Sequence, residues 1–436
     1  MPPDVRIRKS RWVRLIGIRD IPQKVSFQAH YLARVCCLPE PNVATMRGMR
    51  MFILTVMAGM LCAVTESIPR LAVSSREPRA MALASSAAGD VSWSVQTSGI
   101  DTNLRGISAT SSVDKSGAEH ITAWASGSNG VILFSSDLGK SWKRLHVAEG
   151  DSLDFRSIVA FDAKRAYVMS SGNGDKSRIY ETKDGGETWK LEFAGKNPSL
   201  FLDALACNSQ CYALSDPVDG KFLLLSDHNN GTWTQLPVDG MPAALPGEGG
   251  FAASGTSLAI SDDRGLYFGT GGGKSARVFH SPDFGKTWTV TDTPIASGNA
   301  SSGIFSILST TWYVMVVGGD YKDPNRPYGA AAYSLDGGKT WQLAAQQPGG
   351  YRSAVAALYG SALAVGPNGE DMSDDFGAHW KHIGSLDLNA AFVLDIYNGW
   401  AVGAKGTIAR LINHKQYSVQ NNMRQESEGL RSACSR

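Results

Sequence analysis

Ser135-Ser136-Asp137-Leu138-Gly139-Lys140-Ser141-Trp142 is a stretch that the chain repeats. Thr182-Lys183-Asp184-Gly185-Gly186-Glu187-Thr188-Trp189, Ser281-Pro282-Asp283-Phe284-Gly285-Lys286-Thr287-Trp288, Ser334-Leu335-Asp336-Gly337-Gly338-Lys339-Thr340-Trp341 and Ser373-Asp374-Asp375-Phe376-Gly377-Ala378-His379-Trp380 keep Ser or Thr first, Asp third, Gly fifth and Trp last. A sixth copy, residues 226–233, is degenerate but in register. The octad is the chemistry of a turn. Its Asp accepts backbone N–H groups inside a tight reversal, its Gly takes a positive φ, and its Trp opens the next strand and packs sideways.

Alternating apolar stretches precede each octad, for example residues 166–169 and 178–181, and read as strands. From Trp142 to Trp380 the octad tryptophans are 47, 44, 55, 53 and 39 residues apart, the length of a four-stranded propeller blade. After Trp380, residues 391–394, 399–403 and 406–411 supply three strands and no octad. Val91-Ser92-Trp93-Ser94-Val95 has the Trp-led look of the missing fourth strand, and Trp93 precedes Trp142 by 49 residues. The expectation is an all-β, seven-bladed β-propeller over residues 89–413, its last blade closed by the N-terminal strand so that no free edge remains.

The octads resemble Asp-box (BNR) repeats, and Gly399-Trp400-Ala401-Val402-Gly403-Ala404-Lys405-Gly406-Thr407-Ile408 is similar to the blade signature of photosystem II stability/assembly factor-type propellers. More narrowly, residues 215–220, 246–256, 317–321 and 349–354 resemble exported bacterial propellers of that superfamily, often labelled oxidoreductase or glycosyl hydrolase. The assembly-factor resemblance implies a role in assembling or stabilising a larger complex. Asp boxes occur in hydrolases, receptors and assembly factors alike, so function has to be argued from the site.

Composition agrees with a turn-rich β protein: 47 glycines and 11 tryptophans accompany only 19% charged residues. A net charge of +2 excludes a strongly polyanion-seeking protein, so nucleic acid is not an expected partner. Residues 1–50 hold ten basic and three acidic side chains, leaving the remainder of the chain at −5. An uncharged run from Met51 to Val64 then follows, too short to span a bilayer as a helix and suited to a signal-peptide core. Residues 46–84 therefore read as a signal region, with cleavage soon after Val64 or at Ala82-Leu83-Ala84. Residues 1–45 are either upstream of the true start (Met46, Met49 or Met51) or the first half of an organelle-targeting sequence, and residues 414–436 are a polar tail. The expected compartment is the periplasm or the exterior, or an organelle lumen under the second reading, with no membrane anchor after cleavage. Export also favours a disulfide between Cys207 and Cys211, which bracket a three-residue hairpin loop.

Propellers bind at the channel mouth, where each innermost strand begins. Aligning those starts places Arg105, Arg156, Arg352 and Asn389 at one position of blades one, two, six and seven, with Tyr351 beside Arg352. Such an arc suits a carboxylate, a phosphate or an acidic protein segment; equally, each Arg suits an ion pair that staples blades together. Opposite lie Asp216, Asp219, Glu248 and Asp320, followed by Tyr321. Asp216 and Asp219 fit either a Ca²⁺ ion held with loop carbonyls or a turn cap. Arginines facing acids are also what a sialidase-type glycosidase shows, although no Tyr/Glu nucleophile pair can be assigned. The octad acids Asp137, Asp184, Asp283, Asp336 and Asp375 lie one per blade and are read as structural.

Residues 268–275 end like a phosphate-binding loop but lack its first glycine and precede a strand. No cofactor motif, His-Glu-x-x-His or Gly-x-Ser-x-Gly is present. The expectation is a non-catalytic recognition, assembly or stability propeller that binds a protein partner or anionic ligand at its mouth, with no cofactor. A sialidase-like glycoside hydrolase is the alternative, and an oxidoreductase the third choice.

Overall fold

The computed structural model describes residues 91–413 apart from Asn229, Asp262 and Tyr359. The leader, the tail and their cysteines lie outside the described residues. Seven four-stranded antiparallel sheets form the blades. Their innermost strands are Leu104–Val113, Asp154–Ala160, Leu202–Cys207, Leu258–Ser261, Ser302–Ser309, Ala354–Leu358 and Leu388–Val393. Each lies against the innermost strands of its two neighbours, the seventh against the first, so the blades form a ring. In blade seven, Val91–Gln96 pairs antiparallel with Ile408–Asn413, from Val91 opposite Asn413 to Gln96 opposite Ile408.

The octads form the turns between third and fourth strands. In the first, Ser135 Oγ donates to Asp137 Oδ1 (2.9 Å) and accepts from the Gly139 N–H (2.9 Å). Ser141 donates its N–H to Asp137 Oδ1 (3.0 Å) and its hydroxyl to Oδ2 (2.6 Å). These bonds favour the ionised form: the Ser141 and Thr188 hydroxyls hold Asp137 and Asp184 down at about 2, and the Thr287 N–H does the same for Asp283. The residue after Asp lies in the left-handed region even where it is Leu138, Phe284 or Phe376; of these, Phe376 packs on Tyr313 of the preceding blade at 5.3 Å. The degenerate sixth copy keeps the turn by a one-residue shift. Asp227 accepts the Thr232 N–H at 3.0 Å and the Tyr167 hydroxyl at 2.8 Å.

Each octad Trp packs on a second-strand side chain of the preceding blade. Trp189 meets Trp124 edge-on at 6.3 Å, Trp233 meets Tyr167 at 5.6 Å, and Trp142 shares a cluster with Trp400 of blade seven. Trp93 does the same against Leu363 of blade six. The core is therefore a series of between-blade clusters, where burying one such ring contributes roughly 1.5–3 kcal/mol.

Cys207 and Cys211 are bridged as expected, opposite each other at the end of the first hairpin of blade three. Gly269 leads into the strand Arg277–Ser281, so the loop resembling a phosphate-binding motif opens no helix. Among the described residues no helix is long and apolar enough to cross a membrane.

Candidate functional site: the channel mouth

Five innermost strands carry a register shift near their start. It skips Arg105 between Leu104 and Gly106, Arg156 between Phe155 and Ser157, Asp203 between Leu202 and Ala204, Phe305 between Ile304 and Ser306, and Asn389 between Leu388 and Ala390. A bulge leaves its extra residue out of the ladder and re-aims the side chain. All five skipped residues line one cavity of about 490 Å³ at the mouth.

Its charged side is uneven. Arg156 donates Nε to Asp154 (2.7 Å) and Nη1 to the Ala252 carbonyl (3.0 Å). Arg105 forms no ion pair among the described residues, and its Nε is buried without a hydrogen-bond partner. Desolvation, then the neighbouring Arg156 charge, pulls its pKa below the usual guanidinium value. The same cavity is lined by Asp203, 1% exposed, with Oδ2 unpartnered. Burial, then the nearby Asp216, pushes its carboxyl well above the usual range. Asp216 is also raised by burial, against the opposing effect of the Gly250 N–H it accepts at 2.7 Å.

The remaining wall is aromatic. Phe251 stacks on Phe305 at 3.9 Å, and Tyr351 meets Phe305 edge-on at 4.7 Å. Tyr321 completes it at 6.1 Å, half exposed. Phe251 belongs to a segment, residues 249–256, that crosses the channel before the innermost strand of blade four. Gly249 pairs with Gly271, Gly250 bonds Asp216 of blade three, and Ala252 receives Arg156 of blade two. The Ser254 hydroxyl donates to the Ser353 carbonyl of blade six (2.8 Å), and Thr256 bonds Ser306 of blade five (2.7 Å). Below this plug is a separate cavity of about 210 Å³, lined by Ser157, Ser254, Gly255 and Phe392 among others.

The structure brings Arg105, Arg156, Asn389, Asp216 and Tyr351 together at the mouth. It places four other expected residues elsewhere. Arg352 is fully buried and pairs with Asp371, donating also to Asn368 and the Tyr351 carbonyl. The reason is a one-residue slip: the close approach of Gly366 to Arg352 matches that of Gly127 to Leu104, so Arg352 occupies the Leu104 position and Ser353 the Arg105 position. Glu248 is buried against Arg277 and Thr270, where it anchors the loop entering the plug. Asp320 accepts from Asn299 and the Lys322 N–H at the rim. Asp219 is exposed in the turn before the third strand of blade three, and no group of three or more His, Cys, Asp or Glu side chains among the described residues is placed to hold a metal ion.

Sequence reasoning missed Asp203, Phe305 and Phe251. Each of the first two follows a buried apolar residue, Leu202-Asp203 and Ile304-Phe305, and the bulge that turns it to the mouth is set by the strand pairing and carries no sequence signal. Neither Tyr351 nor Tyr321 hydrogen-bonds a carboxylate among the described residues.

The BNR/Asp-box repeat family model matches residues 332–343, which contain the octad ending at Trp341. No curated protein matches the chain. Among solved structures, the chain is similar to YCF48 from Cyanidioschyzon merolae at 15% identity and TM-score 0.48, covering 73% of this chain and 98% of that one. YCF48 bound to D1 peptide gives 15% identity, TM-score 0.46 and coverage of 73% and 96%. The RRP9 WD40 repeats give 14% identity, TM-score 0.47 and coverage of 74% and 97%.

Proposed function

We propose that this seven-bladed Asp-box propeller is an exported, non-catalytic recognition module whose mouth binds a carboxylate on an apolar body, presented by a protein partner during assembly or stabilisation of a larger complex. The observation that supports this reading is Arg105: a half-buried guanidinium with no ion pair among the described residues, lining a cavity together with the aromatic rings of Phe251, Phe305 and Tyr351. A desolvated, unpaired Arg gains charge-assisted bonds from a carboxylate, and the aromatic wall takes the apolar body.

The test is a capture experiment with the full chain and its Arg105→Ala variant, paired with a turnover screen on aryl glycosides that include a sialoside. The expected result is a discrete partner retained by wild type and weakened at least tenfold by Arg105→Ala, with no glycoside turned over. Glycoside turnover abolished by Asp203→Asn would replace this reading with the hydrolase one. Partner retention indifferent to Arg105 would move the interface away from the mouth.

A further inference from the structure

Asp203 and Asp216 stand on adjacent strands of blade three and press on consecutive glycines of the plug. A Cβ on Gly250 would meet Asp203 Oδ2 at 2.5 Å, and one on Gly249 would meet Asp216 Oδ1 at 2.7 Å. The two carboxyls therefore share one patch of the cavity, and among the described residues no cation is ion-paired with either. Arg156, the nearest, is already bonded to Asp154 and to the Ala252 carbonyl. The plug offers only the Gly250 N–H, and Glu248 beyond it is consumed by Arg277. Arg105 of blade one and Tyr351 and Tyr321 on the aromatic side complete the titratable groups facing the cavity, and no histidine lines it.

Charge balance then sets the behaviour. With one proton on the pair, the charges of Arg105, Arg156, Asp154 and the second carboxyl cancel. With none, the cavity is net negative and repels an anion; an anion seated at Arg105 is balanced by a second proton.

We propose that Asp203 and Asp216 make the mouth a proton-coupled anion site, in which an anion bound at Arg105 is accompanied by a proton on the carboxyl pair and affinity falls as the solution becomes less acidic. The inference rests on the mouth being an anion site. Its value to an exported module is release: a ligand taken up in an acidic surrounding is let go in a neutral one.

The probe is phenylmethanesulfonate, which carries an aromatic body and stays anionic throughout the range, titrated into the full chain from pH 5 to 8.5 at constant ionic strength. Expected is a fall in affinity approaching tenfold per pH unit where the pair titrates, and a flattened profile only when both carboxyls are removed together, by Asp203→Asn combined with Asp216→Asn, since either one left alone still takes the proton. Calorimetry of wild type in two buffers of different ionisation enthalpy reads the same coupling without a variant, as proton uptake approaching one per anion. A wild-type affinity that is flat with pH and takes up no proton overturns the coupling while leaving the anion site standing. Failure of the folded protein to bind the sulfonate at any pH overturns the anion site itself.

Discussion

Replacing Arg352 by Leu tests how blade six is built. Arg352 and Asp371 are 0% and 2% exposed at their side chains and bonded to each other. The equivalent pair in blade one is Leu104 and Leu133, and in blade three Leu202 and Leu225, each within one apolar cluster. Arg352→Leu therefore installs the residue that other blades carry, yet it strands Asp371 with only the Gly349 N–H at 3.2 Å and the half-exposed His382 at 3.5 Å. Breaking a buried ion pair from one side costs about 3–5 kcal/mol, whereas exchanging both partners for apolar residues is close to neutral or stabilising. With a urea slope of about 3 kcal/mol/M, the single variant should lose roughly 1 M in its unfolding midpoint, and Arg352→Leu combined with Asp371→Leu should recover most of it. Equilibrium urea unfolding followed by tryptophan fluorescence reads both. A double variant no more stable than the single would refute the reasoning, because the loss would then lie in Arg352 packing and not in the stranded charge.

Glu248→Ala should cost about 3–5 kcal/mol, since it leaves Arg277 buried and unpaired; Glu248→Gln, which keeps an acceptor for Thr270, should cost less in the same urea assay. Asp203→Asn should raise stability at neutral pH. The native carboxyl is raised by burial, so the folded state holds more protons than the unfolded one and wild-type stability declines as pH rises from the ordinary Asp range toward the native value; the variant should lack that slope when midpoints at pH 4.5 and 8 are compared. The octad acids have the opposite sign. Held near 2, Asp137, Asp184 and Asp283 add stability above the ordinary Asp range that disappears as pH falls from about 4 to 2, and Asp137→Asn should reduce the acid loss in thermal midpoint.

Much of the architecture was legible because one turn chemistry is repeated at blade spacing. Asp must receive the N–H of the residue four on, as in Ser141 to Asp137, and that demand leaves a fixed pattern in the chain. The same logic survives in the degenerate copy only after Asp227 moves the acceptor by one place, which no pattern match at the third position detects. The mouth was harder to read. Its residues are set by where a bulge falls, and Arg352 and Arg105 look alike in sequence although Arg105 falls on a bulge and Arg352 takes the buried position that Leu104 holds in blade one. Asp203 carries no motif; its neighbours are those of any buried strand. The plug was read as a family-like motif, since nothing in Phe251-Ala252-Ala253-Ser254 announces a crossing, which is fixed by partners 96 and 99 residues away.

The bulged ring bears on how such a molecule diverges. At each bulged start a buried apolar residue such as Leu104 or Leu202 secures the blade, and the next residue is excused from ladder pairing. Folding constrains the first and leaves the second open. Descendants of one ancestor can therefore exchange Arg for Asp, Phe or Asn around the rim by single codon changes, each altering what the mouth accepts while the scaffold stays intact. Five such addresses already hold four kinds of side chain in this chain, and the same addresses are where a designer would write a new specificity.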